Sequence, residues 1–326
     1  MVGMKRREFI TLLSGAAAAW PLAARAQEAG RTYRLGFLIP TARDAAVTAA
    51  FFDELRANGF VEGHNLSIVP GGFNVPTARI AEVAEAMVKA APDAIVAGPE
   101  LQLRVLQAVT KTIPLIGMTE DMVASGLVAS LSRPGGNTTG ISLLSPELDG
   151  KRQEILIEAV PGLRRMSAFA DSNVTIAQHL QTLRDAAQAR GVDLSVIGVS
   201  KPEEIVPAIN EAKASGAQGL NFLATPLFFV NRRSVFEHVA AFRLPAIYQW
   251  PEMAEEGGLA SYGARFTQLY RQRARMVVKI LRGAKPADIP VEQPTHFELV
   301  INLKAAQAIS HELPAGLVLR ADKVIE

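Results

Sequence analysis

Polar and aromatic side chains follow the predicted strands of this 326-residue chain, and together they could bind a small molecule. Hydroxyls, amides, carboxylates and aromatic rings all occur there, and a few placed polar groups in an otherwise apolar pocket orient a ligand. Such a set suits a ligand with an apolar or aromatic body and one or two polar ends. The candidate ligand-binding residues are Thr41, Arg43, Glu100, Thr119, Asp121, Asn173, Thr225, Tyr248, Trp250 and Tyr262.

Each of these residues also has a plain structural alternative. Arg43 could pair with a ligand carboxylate or face solvent. Glu100 or Asp121 could pair with a ligand ammonium, although exposed carboxylates are usually solvated. The hydroxyl and amide side chains that follow strands are also common helix caps. The three aromatic residues could stack on a ligand or fill the core beside the hinge.

Catalytic and metal-binding chemistry has little support in the sequence. The chain has no cysteine, and its five histidines form no His-Glu-x-x-His motif, so we expect no metal site. No Gly-x-Ser-x-Gly elbow, phosphate-binding loop or dinucleotide fingerprint is present. We therefore expect a protein without a cofactor that is not an enzyme, and an exported α/β enzyme stays as an alternative.

The first 26 residues have the pattern of an export signal. Basic residues Lys5, Arg6 and Arg7 precede an apolar run over residues 11–20, and an Ala-x-Ala pattern ends at Ala26. This run is shorter than the ~20 apolar residues that a membrane-spanning helix needs. We predict cleavage near Ala26 and a periplasmic location. The Arg pair is typical of twin-arginine export, but Lys5 replaces the usual Ser or Thr and leaves the general route open.

The charge balance excludes nucleic acid as an expected partner. Removing residues 1–26 takes away four of the 34 basic and one of the 32 acidic residues, which leaves 30 and 31. Nucleic-acid binding needs a clustered excess of Lys and Arg to neutralise phosphates. The basic isoelectric point therefore belongs largely to the amino-terminal segment.

Short apolar runs alternate with helical periodicity along the chain, which predicts parallel α/β architecture. Two such series indicate two similar lobes, each a parallel sheet flanked by helices and joined by a three-segment hinge. The predicted N-terminal lobe comprises residues 32–143 plus 261–294, and the C-terminal lobe residues 144–260 plus 295–326. Within them, the pattern predicts helices over residues 77–90 and 266–281, among others. Ligands of such sheets bind beyond the carboxyl ends of the strands, where the candidate residues lie.

Several long stretches resemble one known family. They are KRREFI with AAAAWPLAARAQ, ELRANGFVEGHNLSI, TIPLIG, VASLSRPGGNTTGIS, LPAIYQW, GGLASYG, ILRGAKPADIPVEQPTHFELVINLKAA and RADKVIE. With them the chain is similar to ABC-transporter substrate-binding proteins of the tryptophan-binding-protein type, which have the type I periplasmic binding protein fold. The resemblance implies a soluble receptor that closes two lobes around a small solute and delivers it to a membrane permease. We expect the protein to be a monomer. It favours amino acids, especially aromatic ones; delivery to a membrane sensor is the alternative.

Overall fold

The computed structural model describes residues 30–175 and 177–326, and residues 33–326 form one compact unit. The predicted export signal over residues 1–26 lies outside the described residues. Among the described residues, no helix combines the length and the apolar character that crossing a bilayer requires.

The first lobe is built on a five-stranded parallel sheet with strand order β2-β1-β3-β4-β5. Its strands are β1 (Tyr33–Leu38), β2 (Leu66–Ile68), β3 (Ala94–Ala97), β4 (Leu115–Thr119) and β5 (Thr138–Ser142). The connecting helices are α1 (Ala46–Ala57), α2 (Ile80–Lys89) and α3 (Glu100–Val109). All residues of β3 and β4 are buried, as expected for parallel strands that helices cover on both faces.

The second lobe contains a seven-stranded sheet with strand order β12-β11-β10-β9-β8-β6-β7. Its strands are β6 (Arg165–Asp171), β7 (Asp193–Val199), β8 (Gly219–Phe222), β9 (Ala246–Tyr248), β10 (Ala260–Gly263), β11 (Glu298–Asn302) and β12 (Lys323–Ile325). Its helices are α4 (Ser145–Ala159), α5 (Ala177–Ala189), α6 (Ile205–Ala214), α7 (Pro226–Val230), α8 (Arg232–Ala241), α9 (Pro251–Glu255), α11 (Leu303–Ala308) and α12 (Ala315–Leu319). The sheet is parallel except for the β10–β11 pair, which is antiparallel.

The chain passes between the two sheets three times. It leaves the first sheet after β5, returns after β10 as helix α10 (Phe266–Leu281), and leaves again before β11. Helix α10 packs against α1 of the first lobe. The boundary predicted at residue 261 is too early, because Ser261 pairs in register with Tyr248 on one side and Val300 on the other. Strand β10 thus belongs wholly to the second sheet, and the return follows Gly263.

The helices that periodicity predicts are present, with local differences at their ends. Helix α10 has the predicted bounds of 266–281, whereas the helix predicted over residues 77–90 starts as a 3₁₀ turn at Thr77–Arg79. Short elements were not predicted: α7, α9, α11, α12 and β12 have three to six residues each. Elements of this length hold too few apolar positions to show a period.

Candidate functional site

The carboxyl ends of the two sheets border a cleft with an inner and an outer part. We call its enclosed part the inner pocket; it is lined by Pro99, Glu100, Met118, Thr119, Glu120, Leu143, Val174, Ala224, Thr225, Pro226, Trp250 and Phe266. Pro99, Val174, Thr225 and Pro226 also line the outer cleft, so the two parts are continuous. Asn74 to Ala78 and Gln102 border the outer cleft on one side, and Asp171, Asn173 and Ser200 to Pro202 on the other.

The turn between β3 and α3 forms one wall of the inner pocket because a glycine lets it approach β4. Gly98 has a φ of +150°, and a Cβ at this position would lie 2.9 Å from the carbonyl oxygen of Met118. Only glycine tolerates both the conformation and the close contact. Below this turn, the buried guanidinium of Arg273 on α10 donates hydrogen bonds to the carbonyls of Ala97 and Ile116. Helix α10 therefore supports both strand ends that carry pocket residues.

Glu120 directly follows β4 and brings a perturbed carboxyl group to the inner pocket. Its partial burial raises its pKa to about 8, and the negative charges of Asp149, Asp171 and Glu100 act in the same direction. The positive charge of Arg152 opposes them. Glu120 therefore holds its proton at neutral pH unless a cation comes close to it.

Two buried polar atoms of the inner pocket have no hydrogen-bond partner in the described protein. They are Oγ1 of Thr119 and Nε1 of Trp250, on side chains that are 2% and 5% exposed. Leaving a buried polar group unpaired costs about 1–3 kcal/mol, so such groups are uncommon in protein interiors. Both residues line the inner pocket, where polar groups of a ligand can pair with them.

Trp250 and Phe266 form an aromatic wall on the side of the pocket next to the hinge. Their ring centroids lie 4.4 Å apart at an interplanar angle of 10°. Trp250 directly precedes α9 of the second lobe, and Phe266 opens α10, which packs on the first. The wall is thus built where the chain returns to the first lobe, and it contributes aromatic side chains to the pocket lining.

The polar groups on the second-lobe side bond to one another. Thr225 donates a hydrogen bond of 2.7 Å from Oγ1 to Oδ2 of Asp171 and accepts one of 3.2 Å from the backbone N–H of Leu227. Asn173 donates from its backbone N–H and from Nδ2 to Oδ1 of Asp171, each at 3.0 Å. Thr225 is therefore the N-cap of α7, and its hydroxyl is also fixed at the border of the cleft.

A buried ion pair lies behind this wall. Arg152 bonds to Asp149 and donates a 2.9 Å hydrogen bond to the carbonyl of Tyr262. Nε2 of His179 lies 3.4 Å from the second carboxylate oxygen of Asp149, and burial lowers the histidine pKa. The chain's described residues contain no group of three or more His, Asp or Glu suited to a metal ion.

Four of the ten sequence-predicted site residues come together in the inner pocket: Glu100, Thr119, Thr225 and Trp250. Asn173 lies in the adjoining outer cleft. Glu100 already accepts hydrogen bonds from Arg104, at 2.7 Å, and Ser125, at 2.5 Å. The prediction left out Glu120, whose only signal in the sequence is its place beside Thr119 at the end of β4.

The other five predicted residues do not line either part of the cleft. Tyr248 is 1% exposed and packs between Phe222 and Phe236 in the second-lobe core. Tyr262 lies on the opposite face of its strand, in a separate surface depression with Phe297. Strand alternation explains both placements, because Tyr248 is in register with Ser261 and not with Tyr262.

Local bonding explains the remaining three placements. Thr41 is buried and shares a 3.0 Å hydrogen bond with the hydroxyl of Tyr270. Arg43 is paired with Glu62 and lies over the ring of Phe52. Asp121 accepts hydrogen bonds from two backbone N–H groups of the turn that follows β4.

Comparisons with known proteins agree with this architecture. The family model "ABC transporter substrate binding protein" matches residues 38–325. A tyrosine-binding protein of Clostridioides difficile strain R20291 is 26% identical over 266 residues, which are 79% of this chain and 75% of that protein.

Two solved structures show the same fold. An ABC domain from Streptococcus pneumoniae in complex with L-Trp has a TM-score of 0.78 and 22% identity, over 90% of this chain and 100% of that one. A conserved domain protein from Vibrio cholerae has a TM-score of 0.80 and 24% identity, over 90% and 99%. The two-lobed arrangement is that of type I periplasmic binding proteins. Since the family model extends over nearly all the described residues, this chain belongs to the ABC transporter substrate-binding proteins.

Proposed function

We propose that this protein binds an aromatic amino acid between its lobes and delivers it to an ABC permease in the inner membrane. The amino-terminal 26 residues would direct its export to the periplasm, where it would act as a monomer. The stacked pair Trp250 and Phe266, beside the carboxyl group of Glu120, is the observation that carries the choice of solute. The aromatic rings of this pocket suit an aromatic side chain, and the carboxyl group of Glu120 suits an ammonium group.

The relatives support the same class of solute. One is named a tyrosine-binding protein, and one solved structure contains L-Trp. The substrate-binding family to which the chain belongs consists of binding proteins rather than enzymes, which agrees with the absence of a catalytic motif in the sequence. In the proposed mechanism, ligand contacts made from both lobes favour the closed state and shift the population toward it.

Isothermal titration calorimetry on the chain from Gln27 tests the proposal. L-tyrosine and L-tryptophan should bind, whereas L-leucine, L-glutamate and D-glucose should bind at least tenfold more weakly or not at all. Trp250→Leu removes the indole ring of the aromatic wall together with the unpaired Nε1. It should weaken binding of the preferred amino acid tenfold or more, since such contacts are worth about 1–2 kcal/mol.

A matched control uses Tyr262, a second aromatic residue among the candidates from the sequence. Tyr262→Leu changes a ring in the separate depression, so it should leave the dissociation constant within about twofold. Equal loss of affinity in both variants, with both folded by circular dichroism, would move the binding site away from the inner pocket. Tight binding of a sugar in place of an amino acid would refute the proposed solute class.

A further inference from the structure

Four carboxyl groups from both lobes converge around the inner pocket, and they are the basis of a more specific inference. Glu100 and Glu120 line the pocket from the first lobe, Asp171 lies at the adjoining edge of the second lobe, and Asp149 is buried behind it. Of the residues described as lining the inner pocket, none is basic. The ionisable side chains that line the inner pocket itself are therefore acidic, which favours a ligand that carries a positive charge.

The four carboxyl groups differ in how they are already bonded. Glu100 bonds to Arg104, Asp149 to Arg152, and Asp171 accepts hydrogen bonds from Thr225 and Asn173. Among residues 30–175 and 177–326, no such hydrogen bond or ion pair involves the side chain of Glu120. It is the acid of this group that is left to pair with a ligand.

The unpaired atoms of two neighbours point independently to a ligand in the same place. Thr119 directly precedes Glu120 in the chain, and Trp250 lines the same pocket; Oγ1 of Thr119 and Nε1 of Trp250 are both buried without a partner among the described residues. A ligand bound against this lining can supply hydrogen-bonding groups to Thr119 and Trp250 while its cationic group meets Glu120. The acidic group and the unpaired polar atoms thus belong to one site.

We propose that Glu120 binds the ammonium group of the solute, and that the proton of the Glu120 carboxyl leaves to solvent as the solute enters. This inference rests on the proposed function and names the polar contact that selects the solute. The step conserves charge: a neutral carboxyl group and an ammonium cation become a carboxylate–ammonium pair and one released proton. Binding by this protein is therefore coupled to pH.

The charged groups around Glu120 determine the direction of this coupling. Glu100 from α3, Asp149 from α4 and Asp171 from β6 all disfavour its carboxylate form, while Arg152 from α4 favours it. His179 of α5 contacts Asp149, and Arg273 of α10 lies under β4, bonded to backbone carbonyls. With a pKa of about 8 in the free protein, Glu120 is mostly protonated at pH 7 and must lose its proton on binding. Affinity should therefore rise with pH and level off above pH 8.

Calorimetry in buffers of different ionisation enthalpy measures the released proton directly. For L-tyrosine or L-tryptophan at pH 7, phosphate and Tris should give apparent enthalpies that correspond to release of close to one proton per ligand. The affinity should increase about tenfold between pH 6 and pH 7, because one bound proton is exchanged for one ligand. In Glu120→Gln, whose amide cannot titrate, proton release should vanish, the affinity should fall at least tenfold at pH 8, and its pH dependence should be lost.

The adjacent carboxyl group provides the matched control. Asp121 bonds to its own turn and does not line the pocket, so Asp121→Asn should keep both the affinity and the proton release of the wild type. Two analogues of tyrosine test the ammonium group and the carboxylate group of the ligand separately. Tyramine, which keeps the ammonium group, should bind with proton release, whereas 3-(4-hydroxyphenyl)propanoate, which keeps only the carboxylate, should bind far more weakly.

The outcomes distinguish this inference from the proposed function. If L-tyrosine or L-tryptophan binds without proton release, and Glu120→Gln binds it equally well, the inference is wrong and the proposed function stands. If neither amino acid binds but tyramine binds with release of a proton, the inference stands and the proposed solute is wrong. Tighter binding of the propanoate than of tyramine would overturn the role of Glu120, since the protonated acid would then be a donor to a ligand carboxylate.

Discussion

Thr119 and Thr225 have similar places in the two lobes, yet their hydroxyl groups have opposite surroundings. Each follows or ends a central parallel strand, and each lines the inner pocket. The Thr225 hydroxyl donates to Asp171 and caps α7, whereas the Thr119 hydroxyl is buried without a partner. The network of Thr225, Asp171 and Asn173 in the second lobe is therefore satisfied within the protein, whereas Thr119 in the first lobe presents a hydroxyl group that a ligand can pair with.

This difference separates side chains that stabilise the cleft from side chains that can bind the ligand. A wall whose polar groups bond to each other is rigid before a ligand arrives, so little freedom is lost on binding. A buried hydroxyl group without a partner, such as that of Thr119, favours a ligand that supplies the missing hydrogen bond. In this account, substitutions in the second-lobe network should reduce stability, and substitutions on the first-lobe wall should reduce affinity.

The largest expected effect comes from breaking the second-lobe network at its buried ion pair. Asp149→Ala leaves the guanidinium of Arg152, which is 1% exposed, without its carboxylate. Removing one member of a buried ion pair should lower the free energy of unfolding by about 3–5 kcal/mol. Urea unfolding followed by circular dichroism measures it. The control is Lys151→Ala, which removes the exposed pair with Glu154 and should cost at most about 1 kcal/mol.

The pH dependence of stability tests Glu120 on the first-lobe wall. The pKa of Glu120 in the folded protein, about 8, lies above the ordinary value of 4.5, so the folded state holds a proton that the unfolded state loses. This group therefore lowers the free energy of unfolding as pH rises from about 4.5 to 8. Without ligand, the melting temperature of the wild type should fall more across this window than that of Glu120→Gln. Parallel curves for the two proteins would contradict the shifted pKa.

The two threonines give the most direct test. Thr225→Val removes a cap and leaves Asp171 short of one donor, so it should cost about 1–2 kcal/mol of stability. Thr119→Val replaces an unpaired hydroxyl with a methyl group of similar size, so stability should stay within about 0.5 kcal/mol of the wild type or increase.

The Thr119 variant, which should keep its stability, should lose affinity for the ligand. Thr119→Val should weaken binding of the preferred amino acid by about five- to tenfold, the value of one hydrogen bond. Thermal melts and calorimetry on the same two preparations provide all four values. A stability loss in Thr119→Val equal to that in Thr225→Val would show that the two walls do not differ as described.

The outcome for the aromatic residues shows where reasoning from the sequence stops. Tyr248, Trp250 and Tyr262 are close in sequence and chemically alike, and the sequence leaves open for all three whether they contact a ligand or fill the core. Only Trp250 lines the pocket, since Tyr248 fills the second-lobe core and Tyr262 faces the other side of the sheet. The deciding quantity is the register of β9 against β10, which depends on residues distant in the sequence.

The sequence by itself determined the order of strands and helices and the loops that surround the cleft. Local periodicity contains that information: the apolar face of α10 repeats over four turns, and β3 is a short run of buried apolar residues. Tertiary structure alone decided which side chains in those loops lack partners. The pKa of Glu120 depends on Asp149 and Asp171, which are 29 and 51 positions away in the chain and come close only when the two lobes fold beside each other.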